Sequence, residues 1–472
     1  APDATVAASP TPTPARRQSA AGKATGGRQH KRRLLEMDVT TRGRVAESSE
    51  EELTVRSELG IRARMAMSRH VSARVDTGLE YHLLWDGAAD KGFHLHETRM
   101  REAALRISQG PWFMDVGATV LEWGGGGNLS PFTDLNPVDQ RYPWMVLDDQ
   151  AWPGYGSFTL ATGAGTTHFG LEAAFIPFHR PHRLTLFQSD WSLLDNAPFQ
   201  TILNLARVPP HGVDFVVFPS FLDLITDRGG VGGKYLPDAV LPDDDWTNSA
   251  LCGRLRLGFE PVEVSLICHT GHDRTPTFRL SDELLETMAD GQVDMDETDA
   301  FADGLAQSEV TFEERTLIGV DLKVATNYAV VRLELAHRDK ETVYAGLYEV
   351  HRCAVIESCL SANAFLHPRL FTDARLLMSR VQDLPEDAWR EEWESAGMVR
   401  LTLRLWDFLK PYAGGLVDLR SGTSLLDAGC LVEIKTNVRL ALGARFQDGD
   451  ESYLRPLRDA DDHWYVDLGL RF

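Results

Sequence analysis

The sequence predicts an all-β chain, and more narrowly a transmembrane antiparallel β-barrel of about 16 strands (range about 14–18) with long extracellular loops. Three observations carry that expectation: unusually long runs of period-two alternation, connections that alternate short and long, and an amphipathic last segment that ends on an aromatic residue. From Leu53 the odd positions read Leu, Val, Ser, Leu, Ile, Ala, Met, Met as far as Met67, with Thr, Arg, Glu, Gly, Arg, Arg, Ala between them. From Val71 the odd positions read Val, Ala, Val, Thr, Leu, Tyr, Leu, Trp against Ser, Arg, Asp, Gly, Glu, His, Leu. Such alternation puts one apolar and one polar face on each strand. Both runs far exceed the five or six residues typical of a soluble strand, which points to a wall spanning a bilayer.

Similar runs occur at 93–109, 111–123, 155–163, 166–176, 250–259, 261–270, 315–324, 327–338 and 342–357. Further runs lie at 398–408, 411–420, 425–434, 438–447 and 462–472. Tight turns are expected at 68–70, 109–110, 163–165, 260–261, 325–327 and 435–437, and long linkers at 124–154, 177–249, 271–314 and 448–461. Short turns at one end and long loops at the other match a barrel that satisfies its backbone in lipid and leaves no sheet edge. In the last segment Trp464, Val466, Leu468, Leu470 and Phe472 alternate with polar or small residues. Trp85, Trp112, Trp406 and Tyr412 lie near expected strand ends and suit aromatic girdles.

Composition bounds the alternatives. The chain has 472 residues and a net charge of −21, which argues against nucleic acid as a partner. No run of about 18 apolar residues marks a membrane-spanning helix. The opening stretch, APDATVAASPTPTPARRQSAAGKATGG, has almost no bulky side chains, so residues 1–30 are expected to be a disordered tail and 31–472 the barrel. A chain beginning at Ala1 fits a mature form after signal-peptide removal. Five cysteines without CxxC spacing are expected to be free thiols: Cys353 and Cys359 lie too far apart along a strand, and alternation puts Cys252 and Cys268 on opposite faces.

The segment LEWGGGGNLSPFTDLNPVDQR, 121–141, carries four successive glycines. A phosphate cradle would need a helix after them and a basic residue nearby, but Pro131 and Pro137 interrupt the sequel and no Lys or Arg appears before Arg141. The second cluster, Gly229–Gly233, has Arg228 and Tyr235 where a nucleotide loop needs Gly and Ser or Thr. The expected role of the first segment is different. Glycines permit close backbone approach at the wall, Pro131 and Pro137 stiffen the chain beyond them, and the loop 124–154 folds into the lumen. Trp123, Asn128, Asp134, Asn136, Asp139 and Arg141 are the expected pore-constriction residues.

Trp123-Gly124 followed by Leu129-Ser130-Pro131, Asp134 and Asn136-Pro137-Val138-Asp139 resembles the signature of a largely uncharacterised family of porin-like outer-membrane proteins of Gram-negative bacteria. The segment LEAAFIPFHRPHRL, 171–184, resembles a second block of that family. The chain departs from the pattern after Trp-Gly, where glycines and Asn128 stand in place of an acidic residue. The expected function is an outer-membrane channel or transporter, not an enzyme, for small or lipidic molecules, including anionic ones if the wall arginines act as a track. The resemblance itself implies lipidic or hydrophobic molecules. It also implies outer-membrane lipid and periplasmic or inner-membrane exporter components as partners, and needs no cofactor.

If the apolar faces meet lipid, then Arg56, Arg62, Arg64, Arg74, Arg254, Arg256 and Arg404 face the lumen, with Glu58, Asp76 and Glu80 beside them. That pattern reads either as a wall of cross-strand ion pairs or as a track for anionic solutes. His82, His94 and His96 are weak zinc candidates, expected on one inward face without a fourth ligand. The acidic run 294–299 lacks the features of a calcium loop. Two rival classes are an outer-membrane enzyme with its site in the extracellular loops and a barrel scaffold within a larger envelope complex. The first has His179, His182 and Asp190 as candidates, with no spacing to single them out.

Overall fold

The computed structural model describes residues 35–138, 154–182, 248–282, 309–448 and 462–471, apart from short turns within those ranges. The chain forms β1 (Leu35–Ser48), β2 (Glu52–Ala66), β3 (Val71–Asp86), β4 (Lys91–Gln109) and β5 (Trp112–Thr119). After a loop come β6 (Ser157–Gly165), β7 (Phe169–Ile176), β8 (Ala250–Phe259) and β9 (Val262–His272). A small ribbon of β10 (Thr277–Arg279) and β11 (Glu309–Thr311) stands apart from the main sheet. The wall resumes with β12 (Glu314–Ala325), β13 (Ala329–Ala345), β14 (Glu349–His367), β15 (Leu370–Val381) and β16 (Trp393–Leu403). It ends with β17 (Leu409–Asp418), β18 (Ser424–Lys435), β19 (Val438–Asp448) and β20 (His463–Arg471).

Eighteen strands make one antiparallel sheet in which each strand pairs with its neighbour in the chain, β9 passes directly to β12, and β1 pairs with β20. The sheet is therefore closed. Among the described residues no helix is long and apolar enough to cross a membrane. The outer face carries Leu59, Ile61, Leu79, Leu105, Leu171, Leu266, Leu335, Leu360, Leu442 and Leu468, all exposed. Directly opposed residues share a face, so the register carries this belt around the barrel. An apolar exterior around a closed sheet is the architecture of a barrel that spans a bilayer with strands.

Strand number departs from the expectation of about 16. The alternating runs expected from the sequence omit β1, and β15 hides its pattern because the inward face of that strand carries apolar residues, the buried Val381 and the partly buried Leu377. The boundary expected between the runs 327–338 and 342–357 is also misplaced. The turn comes after Ala345, and β13 continues past a bulge between Arg338 and Glu341. β5 stops at Thr119, so 120–123 have already left the wall. Residues 1–30 lie outside those described.

Two side-chain expectations are corrected by register. A bulge beside Asp76 and Thr77 shifts the β3–β4 pairing by one residue, setting Tyr81 opposite His96 and Leu83 opposite His94. The pairing that would put both histidines beside His82 does not form, because one extra residue reverses the parity of a strand. The side chains of His82, His94 and His96, like that of Trp85, lie outside the described residues. Tyr412 is buried on the inner face, where its hydroxyl bonds that of Tyr465. It shares the parity of Leu416 and Asp418 and so belongs to no lipid-facing girdle, whereas Trp112 and Trp406 are exposed.

All five cysteines are free, with Cys252 buried and Cys268 exposed, as opposite faces require.

Candidate functional site

The site is built where the chain leaves β5. Residues 121–138 cross to the polar face of β9 and β12–β15 and pack there. Two single-turn 3-10 helices, Gly127–Leu129 and Thr133–Leu135, shorten the path. Thr133 Oγ1 donates to the carbonyl of Ser130 at 2.7 Å and closes the turn between them.

The glycines answer a demand for space. Gly124 has φ +84°, a left-handed value that disfavours any Cβ, and one built there would stand 3.0 Å from Phe132 and 3.1 Å from Glu334. Gly125 donates its N–H to Glu334 Oε1 at 2.5 Å, and a Cβ at that position would fall 0.8 Å from Arg332 Nη1. The loop backbone thus rests directly on charged wall residues.

Beyond the glycines the loop has a core of its own. Phe132 and Leu135 are each 1 % exposed and pack with Leu121, Trp123, Ile267, Leu317 and Ala336. Gly319 of β12 provides the notch for Phe132, since a Cβ there would sit 2.6 Å from the ring. Leu129 reaches a second cluster on the inner face, with Cys359, Ala396, Met398, Leu416 and Leu425. Each buried aromatic or leucine of this kind contributes about 2–3 kcal/mol relative to exposure.

Polar contacts fix the register of the loop. Asp134 Oδ2 meets Arg315 at 3.0 Å and Arg338 at 3.2 Å, while Oδ1 lies 3.6 Å from His182 Nε2. Arg315 is shared with Asp273 at 3.0 Å and Arg338 with Glu357 at 2.8 Å, so the pairs form a network. Burial works to raise the Asp134 carboxyl, but Arg338, Arg315 and His182 overrule it and hold the group well below the usual carboxylate range. Arg338 also donates to the carbonyl of Pro131, and Arg274 to those of Asp134 and Leu135. Asn136 ties the two ends together: Leu121 N–H donates to its Oδ1 at 2.7 Å, and its Nδ2 donates to the Leu121 carbonyl at 2.8 Å.

The expected constriction residues do not all come together. Trp123 is buried against the wall, its Nε1 donating to Glu172 at 3.2 Å. Asp134 sits between Arg315 and Arg338, and Asn136 holds Leu121. The side chain of Asn128, and all of Asp139 and Arg141, lie outside the described residues. Of the expected lumen arginines, Arg56 pairs with Glu80 at 3.4 Å, Arg62 with Asp76 at 2.9 Å, and Arg74 with Glu102 at 3.4 Å and Asp115 at 3.6 Å. Arg254 pairs with Glu172 at 2.6 Å, Arg256 donates to the Thr166 carbonyl, and Arg64 stands directly opposite Arg74. Arg404 departs from the expectation: it comes after the end of β16, in the turn to β17, and pairs with Asp407 at 2.6 Å. The run expected over 398–408 extends past the strand end at Leu403.

Sequence reasoning did not single out Arg274, Arg315, Arg338 or Gly319. Arg315 and Arg338 show as polar positions of alternating runs, but nothing local distinguishes an arginine that grips a loop from one that pairs along the wall. Among the described residues, no group of three or more His, Cys, Asp or Glu side chains is arranged to hold a metal ion.

No family model and no curated protein matches the chain. Solved structures do. Acinetobacter baumannii OccAB3 is 7% identical with a TM-score of 0.46, over 93% of this chain and 99% of that one. Pseudomonas aeruginosa OccD3 (OpdP) is 8% identical with a TM-score of 0.44, over 93% and 91% of the two chains. Salmonella typhi OmpF, in a complex with daunomycin, is 11% identical with a TM-score of 0.43, over 93% and 97%. At these values the likeness carries no argument about function.

Proposed function

We propose that the chain is an outer-membrane channel in which the loop from Trp123 onward narrows the pore and takes part in the path of small anionic solutes. The observation that carries this reading is the docking of 121–138 on the polar face of a closed barrel, with Asp134 held between Arg315 and Arg338. A segment with its own apolar core on that face takes up lumen cross-section. Wall arginines such as Arg56, Arg62 and Arg74 favour anions over cations in what remains. The exposed apolar belt supports outer-membrane lipid as the surroundings. The resemblance in 121–141 and 171–184 adds lipidic molecules as a solute class and an envelope exporter as partner.

Deletion of 128–141 with the glycines retained tests the constriction. Single-channel conductance in planar bilayers is expected to rise in a variant that keeps heat-modifiable migration. Equal conductance in such a variant would place the loop outside the pore.

A further inference from the structure

We propose that His182 is a proton-sensitive strut: protonation of its ring frees the second leg of the docked loop, at Val138. The inference rests on the constriction reading only for its effect on conductance. Where the loop returns, Val138 is 3% exposed and its backbone N–H donates to His182 Nδ1 at 3.0 Å. A ring that accepts at Nδ1 is neutral and carries its proton at Nε2, the nitrogen facing Asp134. His182 thus joins both legs of the loop, accepting from one and directed at the carboxylate of the other.

A second proton changes this in only one way. It must sit on Nδ1, where it meets the Val138 N–H as donor against donor, so the bond cannot survive. The surroundings give the charged ring little compensation. Arg274 comes from the segment after β9, accepts the His182 N–H on its carbonyl at 2.9 Å, and places its guanidinium on the carbonyls of Asp134, Leu135 and Arg180. Asp273 is engaged by Arg315, and the other oxygen of Asp134 is shared by Arg315 and Arg338. From its own segment His179 lies beside His272, ring centroids 5.9 Å apart, and both have a buried Nε2 without a hydrogen-bond partner. The Nδ1 of His272 is occupied with the Phe312 carbonyl at 2.7 Å. His269 lines the same small cavity as these two rings and Arg274. The rim is therefore assembled from imidazoles around one guanidinium.

Burial, with Arg274 adding to it, pulls the His182 ring below the ordinary imidazole value, although Asp134 pulls upward. Burial also takes His179 down to about 3. Since the folded value is depressed, the strut holds fully above the ordinary imidazole range and weakens as pH falls from there toward the depressed value.

The test uses the full chain. Backbone amide exchange at Val138, corrected for the intrinsic pH dependence of exchange, is measured between about pH 7.5 and about pH 4.5, with single-channel conductance over the same range. Loss of Val138 protection on acidification, with a conductance rise of about twofold or more, is expected. His182→Asn places a non-titrating acceptor near the position of Nδ1 and is expected to abolish both responses. Unchanged Val138 protection in the wild-type chain would overturn the proposal, as would a His182→Asn chain that responds like wild type. Loss of protection with constant conductance would leave the strut standing and sink the constriction reading instead.

Discussion

Two walls of the same barrel use the same residue types to different ends. On the wall formed by β1–β5, arginines pair with carboxylates of neighbouring strands: Arg56 with Glu80, Arg62 with Asp76, Arg106 with Asp115 at 2.6 Å. On the wall formed by β9 and β12–β15, small and apolar residues stand among the charges, and Phe132 seats against Gly319 and Ala336. There the arginines turn to the loop, Arg315 and Arg338 to Asp134, and Arg338 to the Pro131 carbonyl. Charge density alone does not make a docking surface. What does is a gap in side-chain volume beside charges that also find partners outside the sheet.

The comparison is most strongly challenged by removing the apolar seat. Phe132→Ala is expected to weaken loop docking by about 3–5 kcal/mol, the usual range for a buried phenylalanine. Gly319→Leu fills the notch from the other side and is expected to displace the same ring. Limited proteolysis of the loop and single-channel conductance read both effects, and a loop that stays protected in both variants would deny Phe132 its role.

Asp134→Asn comes next, at about 2–3 kcal/mol of docking, because Arg315 and Arg338 keep other carboxylates. Its pH behaviour separates it from His182. The depressed Asp134 contributes above the ordinary carboxylate value near pH 4 and loses that contribution only as pH falls through its lower, folded value. Loop release between about pH 7 and about pH 5 that is unchanged in Asp134→Asn would therefore point to the imidazoles.

Asn136→Ala removes two hydrogen bonds to Leu121 and is expected to cost about 1–3 kcal/mol, seen as faster amide exchange at Leu121.

On the opposite wall the expected effect on stability is smallest. Arg62 is half exposed in its pair with Asp76, so Arg62→Gln is expected to change stability by under about 1 kcal/mol. Bilayer ion selectivity, by contrast, is expected to move toward cations when Arg56, Arg62 and Arg64 are all replaced by Gln. Unchanged selectivity would mean that local carboxylates already neutralise this wall.

By itself the sequence determined the barrel. Period-two alternation states which face of each strand meets an apolar medium, and runs such as 53–67 and 71–85 far exceed the usual soluble strand and point to a spanning wall. It also pointed to 121–141, because glycines followed by prolines and an Asn-Pro step constrain a backbone locally. Tertiary structure decided the rest. Alternation has no memory of a bulge, so the shift at Asp76 and Thr77 changed the strand register at His94 and His96, which stand opposite Leu83 and Tyr81. Nor does it register long-range partners: β15 hid because Val381 and the partly buried Leu377 pack on the inward face in clusters drawn from several strands. Arg338 and Asp134 lie about two hundred residues apart in the chain and 3.2 Å apart in space. Only closure of the sheet brings them together, because a contact between distant segments depends on which strands become neighbours and on where the wall leaves room.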